Sequence, residues 1–308
     1  MKTPVIEVEQ LAKQFLLGEV TVDAVRGISF DIFSGTYNML LGPSGCGKST
    51  VLSLLAGLDI PTSGRILLRG EDIAKLSVDE LAYHRRKRIG MVFQQFNLLR
   101  SLVVWENVAL SYIFDGQPLE RRRKRAIELL KLVRMDKFAE RLPTQLSGGQ
   151  QQKVAIVRAL MSNPWILLVD EPTGNLDSVS AGEVMDFLQV LNSKSKRTLL
   201  LVTHNYEYVH YAERILYMRD GKLLTPDEAS QAPGSAVLGK LEDMAKKELA
   251  QKENRKVHVS NASGEREIHE RTKRTFHRSA KPTLKPEVAE EHAKIEAEHL
   301  TEEALEKL

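Results

Sequence analysis

Gly42-Pro43-Ser44-Gly45-Cys46-Gly47-Lys48-Ser49 spells a G-x-x-x-x-G-K-S loop, with Thr50 directly behind it. Glycines at this spacing let several backbone N–H groups converge on phosphate oxygens, and a helix starting at the lysine adds its positive end. In such a loop Lys48 would bridge the β- and γ-phosphates of a nucleoside triphosphate, and the Ser49 hydroxyl would hold Mg²⁺. Further on, Asp170 ends an apolar run, Trp165–Val169, and Glu171 follows it. A carboxylate at that strand end can hold Mg²⁺ through the metal's water shell, and its neighbour can reach an attacking water as general base. The chemistry implied is hydrolysis of a nucleoside triphosphate.

A second group of small residues, Leu146-Ser147-Gly148-Gly149-Gln150, precedes a helix expected over Gln151–Leu160. Ser147 can cap that helix, and the glycines let another group approach its N-terminus. The chain has one phosphate loop but two anion sites, which fits a γ-phosphate supplied in trans by a partner subunit. His204 follows the apolar run Thr198–Val202, where a neutral imidazole could hydrogen-bond the γ-phosphate. Gln94, after Ile89–Phe93, could touch Mg²⁺ or water.

Alternating strands and helices must hold these groups. Strands are expected at 5–8, 27–32, 37–41, 89–93, 165–169 and 198–202; the last two are nearly all apolar, as strands covered on both faces would be. A helix is expected at Lys48–Leu55, ended by Gly57, and Asp220-Gly221 marks a hairpin. Between about Asn97 and Asn163 strand signals vanish, which predicts an inserted helical subdomain. Within it Glu120–Val133 is charged outside and apolar at Ile127, Leu130 and Val133.

The 308 residues carry a net charge of only +3, so bulk charge makes no case for nucleic acid. No run approaches the roughly 18 apolar residues of a membrane span. The start has no apolar signal-peptide core, and the single cysteine fits a reducing compartment. Residues 1–225 read as one ATPase domain. Residues 226–308 read as a charged extension, flexible with helical segments: a linker at 231–235, an apolar helix face at 237–249, a basic stretch to 285 and an acidic one beyond. Anionic lipid or nucleic acid at the basic part is the minor reading, and the residues leave the role of 226–308 open. Five of the eight histidines lie in this extension without metal-ligand spacing.

Together these residues resemble the ATP-binding cassette (ABC) ATPases over roughly residues 4–224. Walker A is Gly42–Ser49, the Q-loop glutamine Gln94, the signature Leu146–Gln150 and Walker B Ile166–Asp170 with catalytic Glu171. The D-loop is Asn175-Leu176-Asp177 and the switch histidine His204. The resemblance implies an α/β fold: a P-loop NTPase with a RecA-like core, an antiparallel β subdomain and an inserted helical subdomain. It implies a head-to-tail dimer, of two copies or with a paralogous subunit, that sandwiches two ATP with Mg²⁺. It also implies an aromatic residue stacked on adenine, a place that Phe15 fits, and Asp177 coupling the two sites. Glu171-Pro-Thr-Gly-Asn-Leu-Asp177-Ser178 and Leu58-Asp-Ile-Pro-Thr-Ser-Gly64 look like the lipoprotein-releasing, macrolide-exporter and cell-division branch. That branch implies a permease with few spans and a large outer domain, and a peripheral place on the cytoplasmic face of the membrane. The apolar segment Phe96–Trp105 is expected to grip that permease. Thr36, Lys153 and Asn205 depart from the family's usual glutamate, arginine and aspartate without removing a catalytic group.

Overall fold

The computed structural model describes residues 4–225, together with 228 and 229. The expectations for the remainder of 226–308 lie outside the described residues. In chain order, β1 (Pro4–Leu17) and β2 (Val20–Phe33) form a long hairpin. β3 (Tyr37–Leu41) leads through the glycine-rich loop into α1 (Lys48–Leu55). β4 (Ser63–Leu68) and β5 (Glu71–Asp72) precede α2 (Val78–Lys87) and β6 (Ile89–Val92). The helical arm follows: α3 (Val104–Phe114), α4 (Leu119–Leu132) and α5 (Gly148–Leu160). The chain then returns through β7 (Ile166–Asp170), α6 (Ser178–Ser193), β8 (Thr198–Thr203), β9 (Arg214–Arg219) and β10 (Lys222–Leu223).

Two sheets result. One is antiparallel, ordered β2-β1-β4-β5; the other, ordered β10-β9-β3-β8-β7-β6, is parallel except for its β10 edge. β3 and β8 are buried along their whole length, which explains their near-continuous apolar text. Because β6 and β7 are neighbours, residues 93–165 leave the sheet and return to the adjacent position. That excursion is the expected helical insertion. Asn97 and Asn163, its expected limits, both take left-handed backbone, a conformation asparagine tolerates better than most residues.

Local signals account for the element ends. Gly57, at φ 62°, closes α1, with its N–H on Leu54 O and the Leu58 N–H on Ser53 O. Asp220 (φ 48°) and Gly221 (φ 80°) form the turn between β9 and β10. In α4, Leu130 and Val133 are buried as expected but Ile127 is only half-buried. Ala126 and Leu129 complete the inward face, so the stripe is rotated by about one residue.

β1 and β2 are far longer than the expected 5–8 and 27–32. The strand period breaks where the β1–β2 register shifts between Val8 and Leu11. At that bulge Gln10 has φ 47°, and three strands crowd together: a Cβ on Gly64 would lie 2.3 Å from Gln10 O. Thr36 donates its hydroxyl to Phe33 O and accepts the Asn38 amide, closing the turn into β3 without an acid. Lys153 pairs with Glu183, tying α5 to α6.

Candidate nucleotide site

The glycine-rich loop is pinned from outside. A Cβ on Gly42 would lie 2.1 Å from Met218 O, and one on Gly47 (φ 106°) would lie 2.3 Å from Ala24 O. Side chains are excluded there because β2 and the β9–β10 hairpin press against the loop. The Gly221 N–H donates to Cys46 O at 3.0 Å, and the Arg26 N–H donates to Gly221 O at 2.8 Å. Gly45 (φ 78°) instead faces open space, so its glycine serves the backbone turn alone. Pro43, Ser44 and Ser49 are exposed, Cys46 and Lys48 buried, and Thr50 half-buried. The Lys48 ammonium donates to Gly42 O at 2.7 Å and Pro43 O at 2.8 Å, which holds it across the loop mouth.

A cavity of about 390 Å³ opens beside the loop. Residues 45–50 line one side, Val22, Ala24 and Arg26 of β2 another, and the Asp220-Gly221 turn a third. Phe15 does not line it, but pairs across the hairpin with Val22, which does. Phe15 as a residue is 37% exposed.

β7 pairs parallel to β8, so their C-terminal ends set Asp170 and Glu171 beside Thr203 and His204. The Ser49 hydroxyl donates to Asp170 Oδ1 at 3.3 Å. A hydroxyl and a carboxylate in contact fit a hard cation that keeps most of its water, as Mg²⁺ does. Burial pushes the Asp170 carboxyl up from its ordinary value and the Glu171 charge adds to this; the Ser49 hydrogen bond and the Lys48 charge oppose it. Glu171 takes left-handed backbone, φ 42°, which costs a non-glycine residue on the order of 1–3 kcal/mol. Its N–H donates to Val202 O, and its two carboxylate oxygens meet Thr203 Oγ1 at 3.0 Å and His204 Nδ1 at 2.7 Å. Thr203 is buried and its hydroxyl accepts the Asn205 N–H. No sequence motif marks Thr203; its place at the end of an apolar strand beside a carboxylate strand is the only signal.

Gln94 is exposed, and no hydrogen bond joins it to Ser49 or Asp170. Its side-chain Nε2 would lie 3.1 Å from a Cβ on Gly174, and its backbone carbonyl accepts from the Asn175 side-chain amide. Among the described residues no cluster of three or more acidic, histidine or cysteine ligands could hold a metal.

Ser147 caps α5 reciprocally: Gln150 N–H donates to Ser147 Oγ, and Ser147 N–H donates to Gln150 Oε1 at 3.0 Å. The helix starts at Gly148, three residues before the expected Gln151. On their side-chain faces both glycines have neighbours within the chain. A Cβ on Gly149 would meet Ser180 at 2.7 Å, and one on Gly148 would meet Leu176 at 3.4 Å. Ser147 itself is exposed and lies outside the cavity lining. Asp177 caps α6 by accepting the Ser180 N–H and hydroxyl at 2.9 and 2.8 Å, and these bonds hold its carboxyl below the ordinary value.

The segment Phe96–Trp105 is less exposed than its composition suggests. Val104 and Trp105 are buried, Phe96 and Leu102 half-buried, and Leu99 exposed. The fully buried Asn107 staples it, accepting the Leu99 N–H and donating to Leu99 O and Leu102 O.

A phosphate loop between strand and helix, with carboxylates on a parallel strand and a helical arm spliced into the sheet, defines a P-loop nucleotide hydrolase. The family described as ABC transporter matches residues 25–174. An uncharacterized ABC transporter ATP-binding protein of Thermotoga maritima is 46% identical over 219 residues, 71% of this chain and 93% of that protein. The macrolide export ATP-binding/permease protein MacB of Brucella melitensis is 43% identical over 222 residues, 72% of this chain but only 34% of MacB. Among solved structures, the ATP-binding cassette MJ0796, dimeric and bound to ADP and Pi, superimposes with a TM-score of 0.67 at 41% identity, covering 71% of this chain and 97% of that one. The chain belongs to the family of ABC transporter ATP-binding proteins. It is an ATPase with the mixed α/β cassette fold, and no helix among its described residues is long and apolar enough to cross a membrane.

Proposed function

We propose that two such subunits, identical or paralogous, close head-to-tail on ATP and thereby drive a separate membrane permease. The observation that carries this reading is that Ser147, at the capped start of α5, is exposed and takes no part in the cavity beside its own phosphate loop. A helix start with free N–H groups favours an anion, and a second subunit can bring one. That the related cassette MJ0796 is dimeric supports this reading.

In the proposed mechanism the β- and γ-phosphates enter the loop 42–50, and Lys48 leaves Gly42 O and Pro43 O to meet them. Ser49, Asp170 and Gln94 are the residues that would hold Mg²⁺. Phe15 carries the adenine beside Val22. Mg²⁺ when bound supplies charge neutralisation between the phosphates. Glu171 accepts the proton of the attacking water through one carboxylate oxygen while Thr203 holds the other. His204 passes from Glu171 to the transferring phosphoryl. Ser147, Gly148, Gly149 and Gln150 of the second subunit close over the γ-phosphate, and Asp177 links the two sites through α6.

The permease is proposed to be of the few-span, large outer-domain type, for export, lipoprotein release or mechanical transmission. MacB, whose name joins ATP-binding and permease functions, supports this, since the chain matches only about a third of it. The subunit would then lie peripherally on the cytoplasmic face. The exposed Leu99 and half-buried Leu102 supply the contact. Charge at Leu102 is expected to abolish co-purification with the permease while basal ATPase persists; undiminished co-purification would remove this surface from the account.

A further inference from the structure

Lys13 is a cation that the mechanism above leaves unused, and its side chain is only 13% exposed. A lysine is rarely covered to this degree unless it is paired. Its ammonium donates to Asp59 Oδ1 at 2.7 Å and to Ile60 O at 2.8 Å. The same ammonium lies 5.0 Å from the centroid of the Phe15 ring. Asp59 and Ile60 belong to the segment just beyond α1 and its closing Gly57. Two further bonds tie this segment to β1: Thr62 N–H to Ala12 O at 2.9 Å, and Gln14 N–H to Thr62 Oγ1 at 3.0 Å.

The tie therefore joins Phe15 to the far end of the helix whose first residue is Lys48. Lys13 stands two residues from Phe15 in β1, and the register irregularity between Lys13 and Gln14 lies between them. The ammonium lies over the Phe15 ring, and Phe15 as a residue remains 37% exposed, open to a base. An electron-rich ring face beside a fixed cation has its orientation set by that cation.

We propose that Lys13 is a positioning residue for the adenine platform: it clamps the Phe15 ring and ties it to the end of α1. This rests on the reading of Phe15 as the base-stacking residue. Through this tie the base end and the phosphate end of ATP are held by one connected frame.

The test measures MgATP and inorganic tripolyphosphate binding, with steady-state ATPase, for the full chain and for K13M, K13R, D59N, F15A and the K13M/F15A pair. Loss of the clamp is expected to raise KM for ATP about three- to tenfold in K13M, between the ranges of an exposed and a desolvated cation–ring contact, with kcat and tripolyphosphate affinity unchanged. K13R restores binding, because a guanidinium can make both contacts. D59N moves KM in the same direction by less, and carries the test if K13M does not fold. The pair binds ATP no more weakly than F15A alone. If F15A leaves ATP affinity intact, the base-stacking reading of Phe15 fails. If F15A weakens ATP but K13M and D59N do not, the clamp alone is overturned. Equal loss of tripolyphosphate binding in K13M would place Lys13's effect on the phosphate loop and also overturn it.

Discussion

At the phosphate loop the ionisable groups are answered from within the chain. Lys48 lies on two carbonyls, Asp170 on Ser49, and Glu171 between Thr203 and His204. At the start of α5 the arrangement is reversed: Ser147 faces solvent, and among the described residues its side chain bonds only within its own cap. The first region is assembled by strand order. Parallel β3, β8 and β7 bring residues 42, 203 and 170 to one edge regardless of their separation in sequence. The second is a helix terminus, and its remaining capacity points outward. In the proposed function, a second subunit completes the outward half-site of this chain.

The largest expected effect breaks the first region. Glu171→Gln removes the proton acceptor but keeps the shape, so kcat should fall about 10²–10⁴-fold while ATP still binds. Size-exclusion in MgATP should then show a stable dimer; a variant that stays monomeric with ATP contradicts the sandwich.

Asp170 sharpens the contrast through pH. Its carboxyl is raised mainly by burial, so the protonated form is favoured, and Mg²⁺ needs the ionised form. The Mg²⁺ requirement should therefore grow as pH falls, starting at higher pH than for an ordinary aspartate. A Mg²⁺ titration at stepped pH reads this directly, and D170N should bind Mg²⁺ weakly at every pH.

Ser147→Ala tests the second region. It should lower stability by about 1 kcal/mol through the lost cap. Its loss of ATPase should exceed what that unfolding explains, visible as activity lost at temperatures where the melting curve is flat. Activity that follows stability alone would reduce Ser147 to a cap.

The smallest effect is expected for Thr203→Val, which deletes one hydroxyl hydrogen bond to the Glu171 carboxylate. Such a charge-assisted bond is worth about 1.5 kcal/mol at the low end, or roughly tenfold in kcat. Unchanged kcat would mean His204 alone orients the carboxylate.

The two regions also differ in how well their sequence reveals them. The phosphate loop and α1 were legible because glycines and a lysine at fixed spacing serve a backbone shape that few other residues can make. The buried β3 and β8 were legible as apolar runs. β1 was legible only at 5–8, since the bulge at Gln10 shifts the side-chain alternation that identifies a strand. The glycines after Ser147 were visible, yet their neighbours were not, because Ser180 and Leu176 come from a segment some thirty residues later. Thr203 and the Lys13–Phe15 contact depend on strand order and on the turn beyond α1, which only tertiary structure supplies.

The central claim is that Ser147 acts on the nucleotide of the other subunit, and mixing two inactive variants tests it most directly. Lys48→Ala disables the phosphate loop, and Ser147→Arg disables the outward half-site. Each alone should be nearly inactive. Mixed in equal amounts, they form heterodimers in which the loop of one chain and the α5 start of the other are both intact, so ATPase activity should return. A mixture as inactive as its components, with heterodimers shown to form, would contradict the account.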